Sequence, residues 1–271
     1  MRTQDASDDT VATPSTAGGA AAGGTPKIEV RGAAKTFHRG RADALTVFEN
    51  VDFTVGAGEF VCIIGPSGCG KTTMLTLIAG LAEPSAGQVL VEGRPVTGPG
   101  RDRGVVFQQD AIFMWRTVRR NVQYGLEVQG IPKAERDARV DHYLRLVGLE
   151  QFADFYPKEL SGGMKKRVAI AAVLANRPAV MLMDEPFGSL DYPSKVGLQE
   201  EILEIFRTEQ TTTIFVTHDI EEAIYLGDRI LVFDRGGLAE DVRVELPRPR
   251  VPEMRTSPEL QALKSRLWEY L

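Results

Sequence analysis

The segment Gly65-Pro66-Ser67-Gly68-Cys69-Gly70-Lys71-Thr72, followed by Thr73, sets glycine, lysine and hydroxyl at the spacing G-x-x-x-x-G-K-[ST]. Glycines at these places let successive backbone N–H groups converge on phosphate oxygens, and the positive end of a following helix adds to the attraction. Lys71 then has the reach to meet β and γ phosphates, and the Thr72 hydroxyl is a hard oxygen suited to Mg²⁺. Farther along, Val180-Met181-Leu182-Met183-Asp184-Glu185 puts two carboxylates at the end of an apolar run. Asp184 suits Mg²⁺ coordination and Glu185 suits a base that orients an attacking water. Met181 and Met183 are read as core packing. A third group, Leu160-Ser161-Gly162-Gly163-Met164, offers Ser161 as a helix cap and two glycines whose N–H groups could grip a second phosphate. Lys165, Lys166 and Arg167 oppose the helix dipole at that end unless an anion is bound, and otherwise form a solvated basic face.

These groups need elements to hold them. Short apolar runs separated by Gly and Pro begin near Ile28 to Val30, and Val51, Phe53 and Val55 alternate as on a half-buried strand. Phe60 to Ile64 is apolar throughout, as expected of a fully buried strand, and it feeds the glycine-rich loop and an apolar-periodic helix to about Leu81. Further buried strands are expected at Val105 to Phe107, Val180 to Met183, Thr213 to Val216 and Ile230 to Phe233. Helical patterns fill the gaps, so the predicted fold is α/β with a largely parallel sheet. Between the strands at Val105 and Val180 lies a mostly helical insertion, about Thr117 to Ala175, holding Lys133 to Val147 and a final helix starting at Ser161. Near the C-terminus Ser257 caps a helix with Pro258 at its first position, and Leu260, Leu263, Leu267 and Leu271 form one apolar stripe.

The chain is 271 residues long and 43% hydrophobic, enough for one sizeable core. A net charge of −5 leaves no broad basic face for a nucleic-acid backbone. Cys62 and Cys69 match neither a disulfide framework nor a metal-ligand spacing. No apolar stretch approaches the roughly 18 residues of a spanning helix, so any membrane role is expected from the side. Residues 1–26, rich in Ala, Gly, Thr and Ser, are expected to be a disordered tail without the apolar middle of a secretory signal.

With these three motifs in this order, the chain from about Ile28 onward resembles the ATP-binding subunits of ABC transporters: a Walker A motif, the signature at Leu160 to Met164, then a Walker B motif. The resemblance implies a phosphate-loop NTPase core with an antiparallel N-terminal β part and a helical signature subdomain, about 117–175, within an ATPase domain spanning 27–271. It implies ATP and Mg²⁺ as ligands, Glu185, His218 and Gln108 in catalysis, and Thr72, Gln108 and Asp184 around the metal. Phe37 would stack on adenine, and Asp191 in Ser189-Leu190-Asp191 would be the acid of the D-loop.

The same resemblance implies partners. A second copy would pair head to tail, so that each ATP lies between Lys71 of one chain and Ser161 of the other. The loop from Gln108 to Trp115 would meet an integral membrane permease at the cytoplasmic face of the cell membrane. An extracytoplasmic solute-binding protein would act indirectly. Phe113-Met114-Trp115, Asp184 to Asp191 and Leu246-Pro247-Arg248-Pro249-Arg250 are similar to the nitrate, sulfonate and taurine importer branch, although Met114 replaces a usual proline and Lys165-Lys166 stands where glutamine is common. Alternatives are an exporter ATPase and a non-transport ABC ATPase, of which DNA-repair members need a long coiled coil that this chain lacks. A small-molecule kinase would account for the phosphate loop but not for the signature, D-loop and histidine.

Overall fold

The computed structural model describes residues 25–39, 43–109, 111–188 and 190–270. Two sheets share the chain. In the first, β1 (Ile28–Arg39) pairs antiparallel with β2 (Asp43–Val55) and with β4 (Ala86–Val91), which pairs in turn with β5 (Arg94–Pro95). Val51, Phe53 and Val55 of β2 are buried while Asp52 is exposed, as the alternation predicts.

The second sheet has the order β10-β9-β3-β8-β7-β6. Its strands are β3 (Phe60–Ile64), β6 (Arg103–Val106), β7 (Val180–Asp184), β8 (Thr212–Val216), β9 (Arg229–Asp234) and β10 (Gly237–Arg243). The five strands from β9 to β6 run parallel, and β10 returns antiparallel. This sheet separates two cores. Phe60, Cys62 and Ile64 face one, built with the helices α2 (Val118–Val128), α3 (Lys133–Leu146), α4 (Gly162–Leu174), α5 (Tyr192–Glu209), α6 (Ile220–Leu226) and α7 (Pro258–Leu267). Val61 and Ile63 face the other, built with the antiparallel sheet and α1 (Lys71–Ala79). Both faces of β3 are covered, which is why its sequence does not alternate. Each such fully buried Ile or Phe contributes about 1.5–3 kcal/mol through its transfer from water.

The ends of elements follow local chemistry. Helix α1 stops at Ala79 rather than near Leu81, because Gly80 takes the left-handed conformation (φ 75°) and its amide bonds back to the carbonyls of Leu77 and Thr76. A Cβ at Gly80 would lie 2.1 Å from the carbonyl oxygen of Gly98, so no other residue fits there. The segment read as a helical insertion carries α2, α3 and α4, with the caps Thr117 and Ser161 accepting from the amides of Arg120 and Met164. Strand β6 spans Arg103–Val106 and so begins two residues before the predicted run. At the C-terminus Ser257 caps α7 behind Pro258, and Leu260 and Leu267 are buried. Leu271, and the tail expected over 1–26 except for its last two residues, lie outside the described residues.

Candidate functional site

Strand β3 ends in the glycine-rich loop, and the loop ends in α1. Gly65 has φ 151°, and a Cβ there would lie 2.1 Å from the Phe233 carbonyl oxygen, so the loop leaves the sheet in close contact with the end of β9. Lys71 opens α1 and is buried, with Nζ donating to the carbonyl oxygens of Gly65 (2.8 Å) and Pro66 (3.0 Å). Ser67 and Gly68 are exposed at the rim. The Cys69 thiol is turned into the core, where burial pushes its pKa up and the Lys71 ammonium opposes that shift. What the loop offers outward at position 69 is therefore backbone.

At the end of β7, Asp184 is 8% exposed and its Oδ1 accepts a hydrogen bond from Thr72 Oγ1 at 3.0 Å. Burial holds this carboxyl above the usual carboxylate range, the Thr72 bond works against that shift, and the negative charge of Glu185 adds to it. Hydroxyl and carboxylate oxygens side by side are hard donors that suit Mg²⁺. No cluster of three or more His, Cys, Asp or Glu able to hold a metal exists among the described residues.

Glu185 follows with φ 41°, its amide bonded to the Val216 carbonyl oxygen at 2.9 Å. This main-chain tie to β8 aims its carboxylate at two other loops. His218 Nδ1, after β8, lies 3.2 Å from Glu185 Oε2, and Gln108 Nε2, after β6, lies 3.4 Å from the same oxygen. A cavity of about 300 Å³ opens between Glu185, the loop residues Ser67, Gly68 and Gly70, the first turn of α1, and Phe37 and Leu45 of the antiparallel sheet. Phe37 is exposed there, with Lys35 Nζ 5.0 Å from its ring centroid.

Ser161, Gly162, Gly163 and Asp191 are not among the residues lining this cavity. Ser161 is exposed at the N-terminus of α4, its Oγ accepting from the Met164 amide at 3.3 Å. Asp191 caps α5 by accepting from the Ser194 amide, and hydrogen bonding from the Ser194 hydroxyl, then from that amide, holds its carboxyl below the usual range. The two groups touch one another, since a Cβ on Gly162 would meet Leu190 at 3.7 Å and one on Gly163 would meet Ser194 at 3.9 Å. Ser161 and Asp191 thus form a second group, each serving as a helix cap.

The expectation of a solvated basic face over Lys165 to Arg167 is corrected at two of the three positions. Lys166 is 1% exposed and donates to the carbonyl oxygens of Phe107 (3.1 Å) and Gln108 (2.9 Å). Arg167 pairs with Glu201 of α5 at 2.5 Å. Both side chains meet main-chain or acidic partners far away in sequence.

Other positioning residues escaped sequence reasoning. Asn121 is buried, accepts from the Phe113 amide (2.7 Å), and donates to the carbonyl oxygens of Phe113, Arg116 and Thr117. The available signal was an amide between Val118 and Val122 on the buried face of α2. Behind His218, the Thr217 hydroxyl donates to Glu222 (2.5 Å), which also accepts from Gln199 (3.1 Å) and pairs with Lys195 (2.7 Å). Lys195 bonds Asp219 as well, so the turn that carries the histidine is fastened to α5 on one side and α6 on the other.

A phosphate loop after a buried strand, a carboxylate bonded to its threonine hydroxyl, and a second carboxylate met by glutamine and histidine define a phosphate-loop ATPase. The chain belongs to the ABC transporter family, whose model matches residues 48–188. The chain is 46% identical to the nitrate import ATP-binding protein NrtD of Synechocystis, over 77% of its own length and 79% of that protein. Its identity to the bicarbonate transport ATP-binding protein CmpC of Synechococcus elongatus is 43%, over 82% of this chain and 34% of the longer relative. Among solved structures, the ATP-binding cassette MJ0796, a dimer in a post-hydrolysis state bound to ADP and Pi, superposes with a TM-score of 0.72 at 31% identity, covering 81% of this chain and all of that one.

Proposed function

We propose that this ATPase drives an importer for nitrate, a sulfonate, taurine or a related small solute, and that Glu185 is the base that orients the attacking water. One observation carries the catalytic assignment: a single oxygen of Glu185 is met by both His218 and Gln108, while the adjacent Asp184 is engaged by Thr72. Backbone groups of Gly65 to Thr73 and the Lys71 ammonium would cradle the phosphates, with Phe37 against the adenine. Thr72, Asp184 and Gln108 would hold Mg²⁺, which supplies positive charge against the phosphates when bound. His218 stands where it can orient Glu185 and meet the γ phosphate.

A second copy of the chain completes the site in this reading. Its support is the dimeric state of the related cassette MJ0796. The permease contact is assigned to Phe113 to Trp115, where Trp115 is 74% exposed beside the Gln108 loop. Attachment would be peripheral, at the cytoplasmic face of the membrane; among the described residues no helix is long and apolar enough to cross one. The names of NrtD and CmpC support small-solute transport, import in the case of NrtD. A solute-binding protein would deliver the cargo on the far side.

Glu185→Gln tests the core of the proposal. Steady-state hydrolysis should fall about 100-fold or more, the scale of a lost general base, while ATP binding measured by filter retention persists. Parental turnover in the purified variant would show that Glu185 is not the base.

A further inference from the structure

We propose that Lys166 is a positioning residue that ties the signature helix to the Gln108 loop, so that a nucleotide gripped in trans at Ser161 and the water-orienting group in cis respond together. The inference rests on the roles assigned above to Ser161, Gln108 and Glu185.

Ser161, Gly162 and Gly163 form the entry of α4, and Lys166 follows about one turn later on its inward side. Its buried ammonium holds the carbonyl oxygens of two successive residues, Phe107 and Gln108. Those carbonyls belong to the two peptide planes that flank the Gln108 Cα. Clamping both fixes the backbone angles at Gln108, and with them the direction in which its side chain leaves for Glu185, 3.4 Å away. A continuous path of contacts therefore runs from Ser161 through α4, Lys166 and Gln108 to Glu185. It crosses from one set of site residues to the other.

The chemistry of the residue matters to the stiffness of the path. A charged donor makes hydrogen bonds about twice as strong as a neutral one, and a buried ammonium parted from acceptors is strongly disfavoured. Lysine also brings three donors to one point, whereas a glutamine amide brings two in one plane. On the far side of α4, Arg167 and Glu201 anchor the helix to α5, whose cap is Asp191. Motion imposed on Ser161 by a partner's phosphate is thereby passed to the Gln108 loop rather than absorbed between helix and strand.

The test uses the full chain carrying Trp268→Phe, which leaves Trp115, in the same loop, as the one tryptophan. Lys166→Met keeps much of the side chain's length and removes the donors, and Lys166→Arg restores a charged donor. For Lys166→Met, kcat should fall about tenfold with the KM for MgATP changed less than about twofold, the pattern of an interaction that acts on the reacting state. In a Glu185→Gln background, the change in Trp115 emission on adding MgATP should be lost in Lys166→Met and present in Lys166→Arg, which should also recover most of kcat. Parental kcat and emission response in Lys166→Met would overturn the proposal. So would a collapse of thermal stability with kcat and KM shifting together and no rescue by arginine, since that is simple packing. If Lys166→Met does not fold, Lys166→Leu, which likewise removes the donors, takes its place, and parental behaviour there overturns the tether. Failure of the Glu185 assignment is read separately, as parental hydrolysis by Glu185→Gln alone; the emission comparison between lysine, methionine and arginine at 166 still decides the tether.

Discussion

Asp184, the proposed Mg²⁺ carboxylate, stands where burial disfavours its charge. Because its folded-state pKa is raised above the unfolded value, the folded chain holds the proton more tightly in the window between those two values. Stability of the nucleotide-free protein therefore falls as pH rises through that window and stays lowered above it. Asp184→Asn removes the ionisation, so the melting temperature without nucleotide should rise at neutral pH and depend less on pH, while stabilisation by MgATP is lost. A lower melting temperature for the variant at neutral pH would contradict this account. The nearness of Thr72 to Asp184 was legible in the sequence, because a phosphate loop and an acidic strand end are both local patterns. Lys166 and Asn121 were not, since their partners are main-chain carbonyls, and nothing in the local pattern says which carbonyls come near.

At the scale of elements, the connection from β6 to α2 shows how an apolar side chain is kept on the surface. Asn121 fastens the backbone of Phe113, Arg116 and Thr117, and the Phe113 ring packs edge-on to Tyr124 with centroids 4.7 Å apart. Arg116 covers the Tyr124 ring at 4.8 Å and pairs with Glu127. Trp115 is left outward by a loop that is otherwise well held, which argues for a partner rather than for a poorly packed turn. Trp115→Ala should leave the melting temperature and basal ATPase nearly unchanged and weaken co-purification with the permease. A loss of several degrees in melting temperature would mean that the indole packs within this subunit. Sequence reasoning found the buried strands and the caps Ser161 and Ser257, because apolar runs and capping residues are local signals. It placed the end of α1 two residues late, because the apolar pattern runs on to Leu81 past Gly80, whose left-handed conformation ends the helix.

For the whole molecule, the proposed head-to-tail pairing sets a geometric test: the phosphate loop of one chain would face the signature helix of the other. Ser67 is exposed beside the phosphate loop and Ser161 is exposed at the entry of α4, whereas the native thiols Cys62 and Cys69 are both buried. Ser67→Cys combined with Ser161→Cys in a Glu185→Gln background should therefore give a covalent dimer with a short bismaleimide when MgATP is present, and little without it. Peptide mapping that found the two introduced cysteines joined only within one chain would defeat the head-to-tail arrangement. The order of the motifs made such pairing legible only through family resemblance, since the distance between two surfaces of a fold is not written in either segment.

Strand β3 is apolar at every position and buried on both faces, so its own side chains do not say where it should sit between β8 and β9. A slip by one residue would exchange Phe60, Cys62 and Ile64 for Val61 and Ile63 without exposing a polar group. The alignment must come from the ends. Glu59 meets Arg229 at 3.2 Å and its carbonyl oxygen takes the Thr213 amide, while the Phe60 amide is held by Asp228 at 3.0 Å. At the other end, Gly65 admits the Phe233 carbonyl where no larger residue could. The glycine that frees the phosphate loop is thus also a gauge that rejects misaligned strands, and apolar exchanges within β3 are free to drift so long as Glu59, Asp228 and Gly65 stay in place.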